Sequence, residues 1–125
     1  MFITVAPYLP IAGRILIGAA FLFAGLRNFK NFALLEGAMK SIGMPMPRVV
    51  LFLGLLTLTI SAILILTGNF LLWGGLGLGL FVVLATVLFH PFWKFTGAER
   101  ALHVNAWISN TALFGCALLL AGLVG

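Results

Sequence analysis

Four long apolar runs, each about the length of a membrane-spanning helix, constrain the fold of this chain more than any other feature. They extend from Tyr8 to Leu26, Val49 to Gly68, Phe70 to Phe89 and Val104 to Val124. At about 1.5 Å per residue, a helix of some 20 residues crosses roughly 30 Å of hydrocarbon. The pattern predicts an all-α membrane protein: a four-transmembrane-helix up-down bundle forming a single integral-membrane domain over residues 1–125.

Composition excludes the main alternatives to a membrane protein. Of the 125 residues, 63% are hydrophobic and 7% are charged, whereas a soluble domain is about 25% charged. Disorder is excluded by the same apolar content. Cys116 is the single cysteine, so no intrachain disulfide or cysteine metal cage can form. The first run contains Arg14 and has no basic segment before it, so we interpret it as a retained helix rather than a signal peptide.

A short amphipathic helix is predicted between the first two runs, over Asn31–Ser41. Its apolar residues recur near helical spacing, and Glu36 and Lys40 stand at positions i and i+4. Such a helix lies on a membrane surface with its apolar face inward. Gly43 and the two prolines that follow end it.

Basic residues concentrate on one predicted side of the membrane. Six lie in the two longer connections or beside them, namely Arg27, Lys30, Lys40, Arg48, Lys94 and Arg100. Arg14 alone lies toward the other side. The positive-inside rule therefore predicts a multi-pass protein of the inner (plasma) membrane with both termini outside the cytoplasm. The basic charge is explained by this topology, and no nucleic-acid partner is expected.

Each predicted span has one face of small residues suited to close helix packing. The clearest is Gly75-x-x-x-Gly79 in the third run. In lipid, helices associate through such faces. Packing within the bundle is the simpler interpretation, and a homo-oligomer is the alternative.

Arg14 is the one charge inside a predicted span. Three interpretations stand at this stage: its guanidinium snorkels to the headgroups, it bonds carbonyls or Thr57 or Thr59 of the bundle, or it binds an anion or a ligand carbonyl. Counted from the helix ends, Arg14 and Leu58 differ in depth by roughly 6 Å. Replacement of Leu58 with Glu would then create a partner for Arg14.

Polar and aromatic side chains gather where the third run ends and the fourth begins. They are Thr86, His90, His103, Trp107 and Asn110. This set predicts a ligand site in which donor groups and an aromatic wall hold a quinone head. A b-type haem between the two histidines is a second hypothesis, and simple solvation at the membrane interface is a third. No metal site is expected.

The order of several short motifs resembles the DoxX family of small four-helix inner-membrane proteins. These motifs are Gly13-Arg14, Phe23-Ala24-Gly25-Leu26-Arg27-Asn28-Phe29, Gly43-Met44-Pro45-Met46-Pro47, His90-Pro91-Phe92-Trp93 and Asn110. The resemblance implies the four-helix fold and, more loosely, membership of a membrane oxidoreductase assembly, since the family is named after a subunit associated with thiosulfate:quinone oxidoreductase. Many members carry a glutamate where this chain has Leu58, and a lysine where it has Arg27-Asn28. From the family, Arg14, His90 and Asn110 carry over as candidate site residues.

Three functions remain open from the sequence. The first is an accessory or scaffold subunit of a quinone-linked redox assembly, with quinone as the one cofactor to consider. The second is a small transporter or anion channel, although no acid lies in a span to exchange protons. The third is an assembly factor. No self-contained catalytic constellation is present, so an enzyme is not expected. The expected partners are the lipid bilayer, and a membrane oxidoreductase or a second copy of the chain.

Overall fold

The computed structural model describes residues 7–123, which form five α-helices joined by short connections. They are α1 (Tyr8–Lys30), α2 (Phe32–Ser41), α3 (Pro47–Thr67), α4 (Leu71–Phe89) and α5 (Gly97–Ala121), with a single 3-10 turn at Phe92–Lys94. No β-strand occurs within that range. All helices except α2 are long and apolar enough to cross a membrane. The all-α membrane fold predicted from the four runs is confirmed.

The helix bounds differ from the apolar runs at the ends that carry charge. Helix α1 continues to Lys30, and α5 begins at Gly97 rather than at Val104, about two turns earlier. Apolar runs mark the part of a helix that lies in hydrocarbon, whereas hydrogen bonding continues into the headgroup layer. Helix α2 occupies the predicted amphipathic segment, but Glu36 pairs with Arg48 of α3, at 3.2 Å between Oε1 and Nε, and not with Lys40.

Glycines set the register between α1 and α3. A Cβ added at Gly18 would lie 2.7 Å from the backbone nitrogen of Leu66, and one at Gly25 would lie 2.5 Å from Oγ1 of Thr59. The two contacts are seven residues apart on each helix, so they define one antiparallel interface. Such close approach suits the C–H···O contacts that small residues permit between membrane helices.

Glycines also hold α4 between its two neighbours. An added Cβ at Gly75 would lie 2.6 Å from the carbonyl oxygen of Ala117 in α5, and one at Gly79 would lie 3.1 Å from the ring of Phe114. On the opposite side of α4, Gly74 packs against α3. Gly75 and Gly79 are both buried, so the GxxxG sequence serves contact inside the bundle.

The four long helices follow one another in space as they do in sequence. Helix α3 packs against α1 and α4, and α5 packs against α4, whereas α1 and α5 make at most marginal contact. The core therefore centres on α3 and α4, with Leu55, Leu58, Ile65 and Leu78 almost fully buried. Because successive long helices run in opposite directions, the six basic residues other than Arg14 all lie at one end of the bundle. We call this end the basic end.

Candidate functional site

A ladder of side-chain contacts joins α4 to α5 near the basic end. The deepest rung is Asn110, whose Nδ2 donates to Oγ1 of Thr86 at 2.8 Å. Thr86 in turn donates to the carbonyl oxygen of Val82 at 2.6 Å and is only 5% exposed. Burial of the Thr86 hydroxyl is tolerated because it has hydrogen-bond partners. These contacts join the two helices through side-chain hydrogen bonds.

The two histidines form the upper rung. Helix α4 ends at Phe89, before Pro91, which cannot donate a backbone hydrogen bond and so favours a helix end. His90 therefore stands at the helix end, where its Nδ1 lies 3.0 Å from Nδ1 of His103. The Nε1 of Trp107 donates to the carbonyl oxygen of His90 at 2.6 Å. One histidine donates and the other accepts, and the tautomers decide which.

Aromatic rings enclose this rung on the side of the connection between α4 and α5. Phe95 stacks on His103 with ring centroids 4.4 Å apart and planes inclined at 27°. Phe92 and Trp93 meet Trp107 edge to face. The importance of Phe95 was not predicted from the sequence, because only the path of the connecting segment brings it back onto His103.

The histidine pair, as it is arranged, does not fit a haem held between its two rings. A haem with two histidine ligands needs one nitrogen on each face of the porphyrin. Here the two Nδ1 atoms bond each other directly, and the ring centroids are 5.2 Å apart. Within residues 7–123, no group of three or more metal-ligating side chains comes together. The geometry instead suits a hydrogen-bonded pair that shares a proton.

A groove of about 540 Å³ lies beside the ladder, between α3 and α4 and toward the basic end. We call this the α3–α4 groove. Its three polar lining residues are Asn28, Thr57 and His90, and the rest of the lining is apolar or glycine. Leu53 and Leu80 line it and are 55% and 57% exposed, so the groove opens sideways to the lipid. Its size and lining are typical of a site for a small apolar ligand.

The structure brings together five of the six candidate residues, all but Arg14. Of these five, His90 lines the groove. The other four use polar groups in hydrogen bonds within the α4–α5 ladder, namely Thr86, His103, Trp107 and Asn110. The groove was not predicted, because its walls are ordinary leucines and phenylalanines. Its other polar residues had different predicted roles, Asn28 as part of the Phe23–Phe29 motif and Thr57 as a candidate partner of Arg14.

Arg14 lies far from this cluster, at the opposite end of the bundle. Its Nη1 donates to the carbonyl oxygens of Ile65 at 2.9 Å and Leu66 at 3.1 Å. These carbonyls belong to the last turn of α3, at the negative end of the helix dipole, where few backbone donors remain; the carbonyl oxygen of Ile65 also accepts from the backbone nitrogen of Gly68 at 3.2 Å. Bonding to bundle carbonyls is therefore the interpretation that the structure favours, but the threonines named with it are not partners. Thr57 donates to the carbonyl oxygen of Leu53, and Oγ1 of Thr59 is buried beside Gly25 without a hydrogen bond.

The expected closeness of Arg14 and Leu58 is wrong. In the register set by Gly18 and Gly25, Arg14 stands beside the turn after α3, and Leu58 stands near the basic end of α1. Counting from helix ends failed because α1 and α3 are offset along their axes. Around Arg14, a second cavity of about 320 Å³ separates α1 from Leu123 near the end of α5.

Comparison with known proteins agrees with the architecture. The family model for DoxX matches residues 9–91, which is more than half of the chain. No curated protein and no solved structure matches the chain significantly. The matched region includes Arg14, Thr86 and His90, and it ends before His103, Trp107 and Asn110. Four apolar helices in the order predicted from the sequence, together with this match, identify the chain as a multi-pass membrane protein that belongs to the DoxX family.

Proposed function

We propose that this DoxX protein is an accessory subunit of a quinone-linked membrane redox assembly, and that its α3–α4 groove receives a quinone. The observation that carries the proposal is the groove itself: an apolar cleft of about 540 Å³ that opens to lipid and ends at His90. A quinone has an apolar ring and chain, and its carbonyl oxygens accept hydrogen bonds. It would supply electron-carrying chemistry, while the chain supplies the cleft and a polar anchor.

The helix packing explains why the groove exists. Near the turn at Gly68, α3 and α4 approach closely because Gly74 and Gly77 face Ser61 and its neighbours. Toward the basic end many of the facing residues are large, among them Leu51, Phe81 and Phe89, and the groove lies between them. Helix α2 covers that end with Leu35 and Met39. The groove is thus closed toward the headgroups by α2 and open toward the hydrocarbon, which suits a ligand that arrives through the bilayer.

We also propose the orientation that the charges favour, with the basic end in the cytoplasm of a cell whose inner membrane holds the protein. A quinone in the groove would then lie near the cytoplasmic surface. The anion-channel alternative has less support, since Nη1 of Arg14 already donates to two carbonyls.

A matched pair of glycine variants tests the proposal. Gly54 lines the groove and Gly115 lies on the exposed face of α5, and a Cβ added at either meets no atom within 4 Å. Gly54→Phe should fill the groove, whereas Gly115→Phe adds the same bulk elsewhere. The wild type and both variants would be purified in mild detergent, and their extracted quinone measured per protein by chromatography and mass spectrometry.

Quinone should accompany the wild type and Gly115→Phe and be lost from Gly54→Phe. The same preparations would be searched for a co-purifying dehydrogenase. Equal quinone in all three preparations, or phospholipid alone in the wild type, would remove the groove from the proposal.

A further inference from the structure

We infer that the His90–His103 pair acts as a proton-controlled anchor, which fixes a carbonyl-bearing ligand in the α3–α4 groove more tightly when the pair holds one extra proton. The inference rests on the proposed function, since it takes the groove as the ligand site. In it, His90 is the residue that touches the ligand, and His103 is a positioning residue that acts through His90. The argument depends on the 3.0 Å separation of the two Nδ1 atoms.

In the neutral pair, the two rings hold one proton between their Nδ1 atoms, and two arrangements are available. If His90 donates through Nδ1, its Nε2 is unprotonated and can only accept a hydrogen bond. If His103 donates instead, Nε2 of His90 carries a proton and can donate. Because Nδ1 of His90 is committed to His103 in both cases, Nε2 is the ring nitrogen that remains for a ligand.

One additional proton removes this ambiguity. When His103 takes it, His103 donates through Nδ1 and His90 must hold its own proton on Nε2. When His90 takes it, both nitrogens of His90 carry protons while Nδ1 of His103 accepts. In either case Nε2 of His90 is a donor, so it can bind a carbonyl oxygen and cannot serve as an acceptor.

The surroundings leave the pair as the proton-sensitive element at this end of the groove. The other charged groups on the elements around this end of the groove are Lys94 in the 3-10 turn, Glu99 and Arg100 in the first turn of α5, Arg27 and Lys30 at the end of α1, and Lys40 at the end of α2. Among the described residues, none of these side chains forms a hydrogen bond or ion pair with either ring. The guanidinium of Arg100 lies 5.6 Å from the centre of the Phe92 ring. Across the groove, Glu36 of α2 is paired with Arg48 of α3.

The expected size of the effect follows from the kind of hydrogen bond. When His90 holds the extra proton, Nε2 is a charged donor, and its hydrogen bond is roughly twice as strong as a neutral one, which corresponds to about fivefold in affinity. When His103 holds it, Nε2 is a neutral donor and the gain is smaller, because it comes only from exclusion of the accepting tautomer. Histidine gains its charge between about pH 8 and pH 5. A ligand with a carbonyl acceptor should therefore bind more tightly at the acid end of this range, by up to about fivefold.

The test measures binding of two probes to the detergent-solubilised full chain at about pH 8 and about pH 5.5. One probe is a benzoquinone with a decyl chain, and the other is a benzene ring with the same chain and no acceptor. Binding would be followed by calorimetry. Selective ¹⁵N labelling of the two histidines, the only ones in the chain, would report in parallel which ring nitrogens carry protons.

Two variants sharpen the comparison. In His103→Lys, an ammonium donor faces Nδ1 of His90 and keeps its Nε2 a neutral donor, so quinone affinity should be the same at both pH values. Gly54→Phe fills the groove and marks binding that does not occur there. If His103→Lys does not fold, the inference can still be refuted, because the two probes are compared at both pH values on the wild type alone.

The expected result is quinone binding that strengthens by up to about fivefold on acidification, decylbenzene binding that does not change, and a quinone-bound spectrum with Nε2 of His90 protonated. Groove binding that is independent of pH, or equally dependent for both probes, would overturn the inference and leave the quinone groove standing. No groove binding of quinone at either pH would overturn both.

Discussion

Replacement of Gly75 with alanine should separate α4 from α5 and destabilise the fold, although alanine is the better helix former. The structure leaves no space for the methyl group. An ideal Cβ would lie 2.6 Å from the carbonyl oxygen of Ala117, 2.6 Å from the nitrogen of Ala121 and 2.7 Å from its Cβ. Two of these atoms are helix backbone, so no side-chain rotation can relieve the overlap.

The magnitude follows from two opposing effects. Ordinary contact begins near 3.4 Å, so α5 must move by about 0.8 Å, which loosens the packing around the buried Ala117 and Leu120. Overpacking of this kind costs about 1–3 kcal/mol, and the unyielding backbone places Gly75 toward the upper value. The gain in helix propensity from glycine to alanine is about 1 kcal/mol. We expect a net loss of about 1–2 kcal/mol in the free energy of unfolding.

Gly115→Ala provides the matched control, since Gly115 lies in α5, the partner helix of α4, but its added Cβ meets nothing within 4 Å. It should be neutral or more stable by up to about 1 kcal/mol. Reversible unfolding with SDS in mixed micelles, followed by circular dichroism, would give both values. Equal shifts for the two variants, in either direction, would refute the argument that close α4–α5 contact requires glycine at Gly75.

Two further predictions address the ladder and the topology. The Asn110–Thr86 hydrogen bond should show a coupling energy of about 0.6–1.7 kcal/mol in a double-mutant cycle of Asn110→Leu and Thr86→Val. As a control, Thr111→Val removes a similar hydroxyl on the exposed side of α5, and it should show no coupling energy with Asn110→Leu. A reporter that is active only outside the cytoplasm should be active when fused after Gly125 and inactive when inserted near Lys40, and the reverse pattern would invert the proposed orientation.

The features that could be predicted from the sequence are those that the lipid bilayer imposes on any chain that spans it. A bilayer requires long apolar helices with satisfied backbones, so the four spans, α2 and the gathering of charge at one end follow from local sequence. The α4–α5 ladder was predictable in part, because a short connection makes neighbours of residues at the two facing helix ends. Thr86, His90, His103, Trp107 and Asn110 share that position and the inward face.

The groove and the helix register were not predictable in this way, because both depend on distances between helices. Whether a space remains between α3 and α4 depends on how Ser61 fits against Gly74 and Gly77, compared with how larger residues such as Leu51 and Phe89 fill the region toward the basic end. Sequence periodicity gives the face of each residue, but not the separation of two faces. In the same way, only the contacts of Gly18 and Gly25 fix how far α1 is displaced along α3.

The displacement of α1 along α3 can itself be tested at Leu58, which is fully buried. Arg14 bonds the carbonyl of Ile65, two helical turns or about 10 Å from Leu58 along the axis. Leu58→Glu therefore places an acid where Arg14 cannot reach it, and should destabilise the protein by about 3 kcal/mol. Arg14→Leu alone should cost about 1.5–3 kcal/mol, the value of hydrogen bonds to a charged group. Since the two sites do not touch, the losses should add, with a coupling energy near zero by SDS unfolding. A double variant much less stable than this sum, which would mean that Arg14 had been relieving the buried acid, would show that the register is wrong and that α1 lies deeper beside α3.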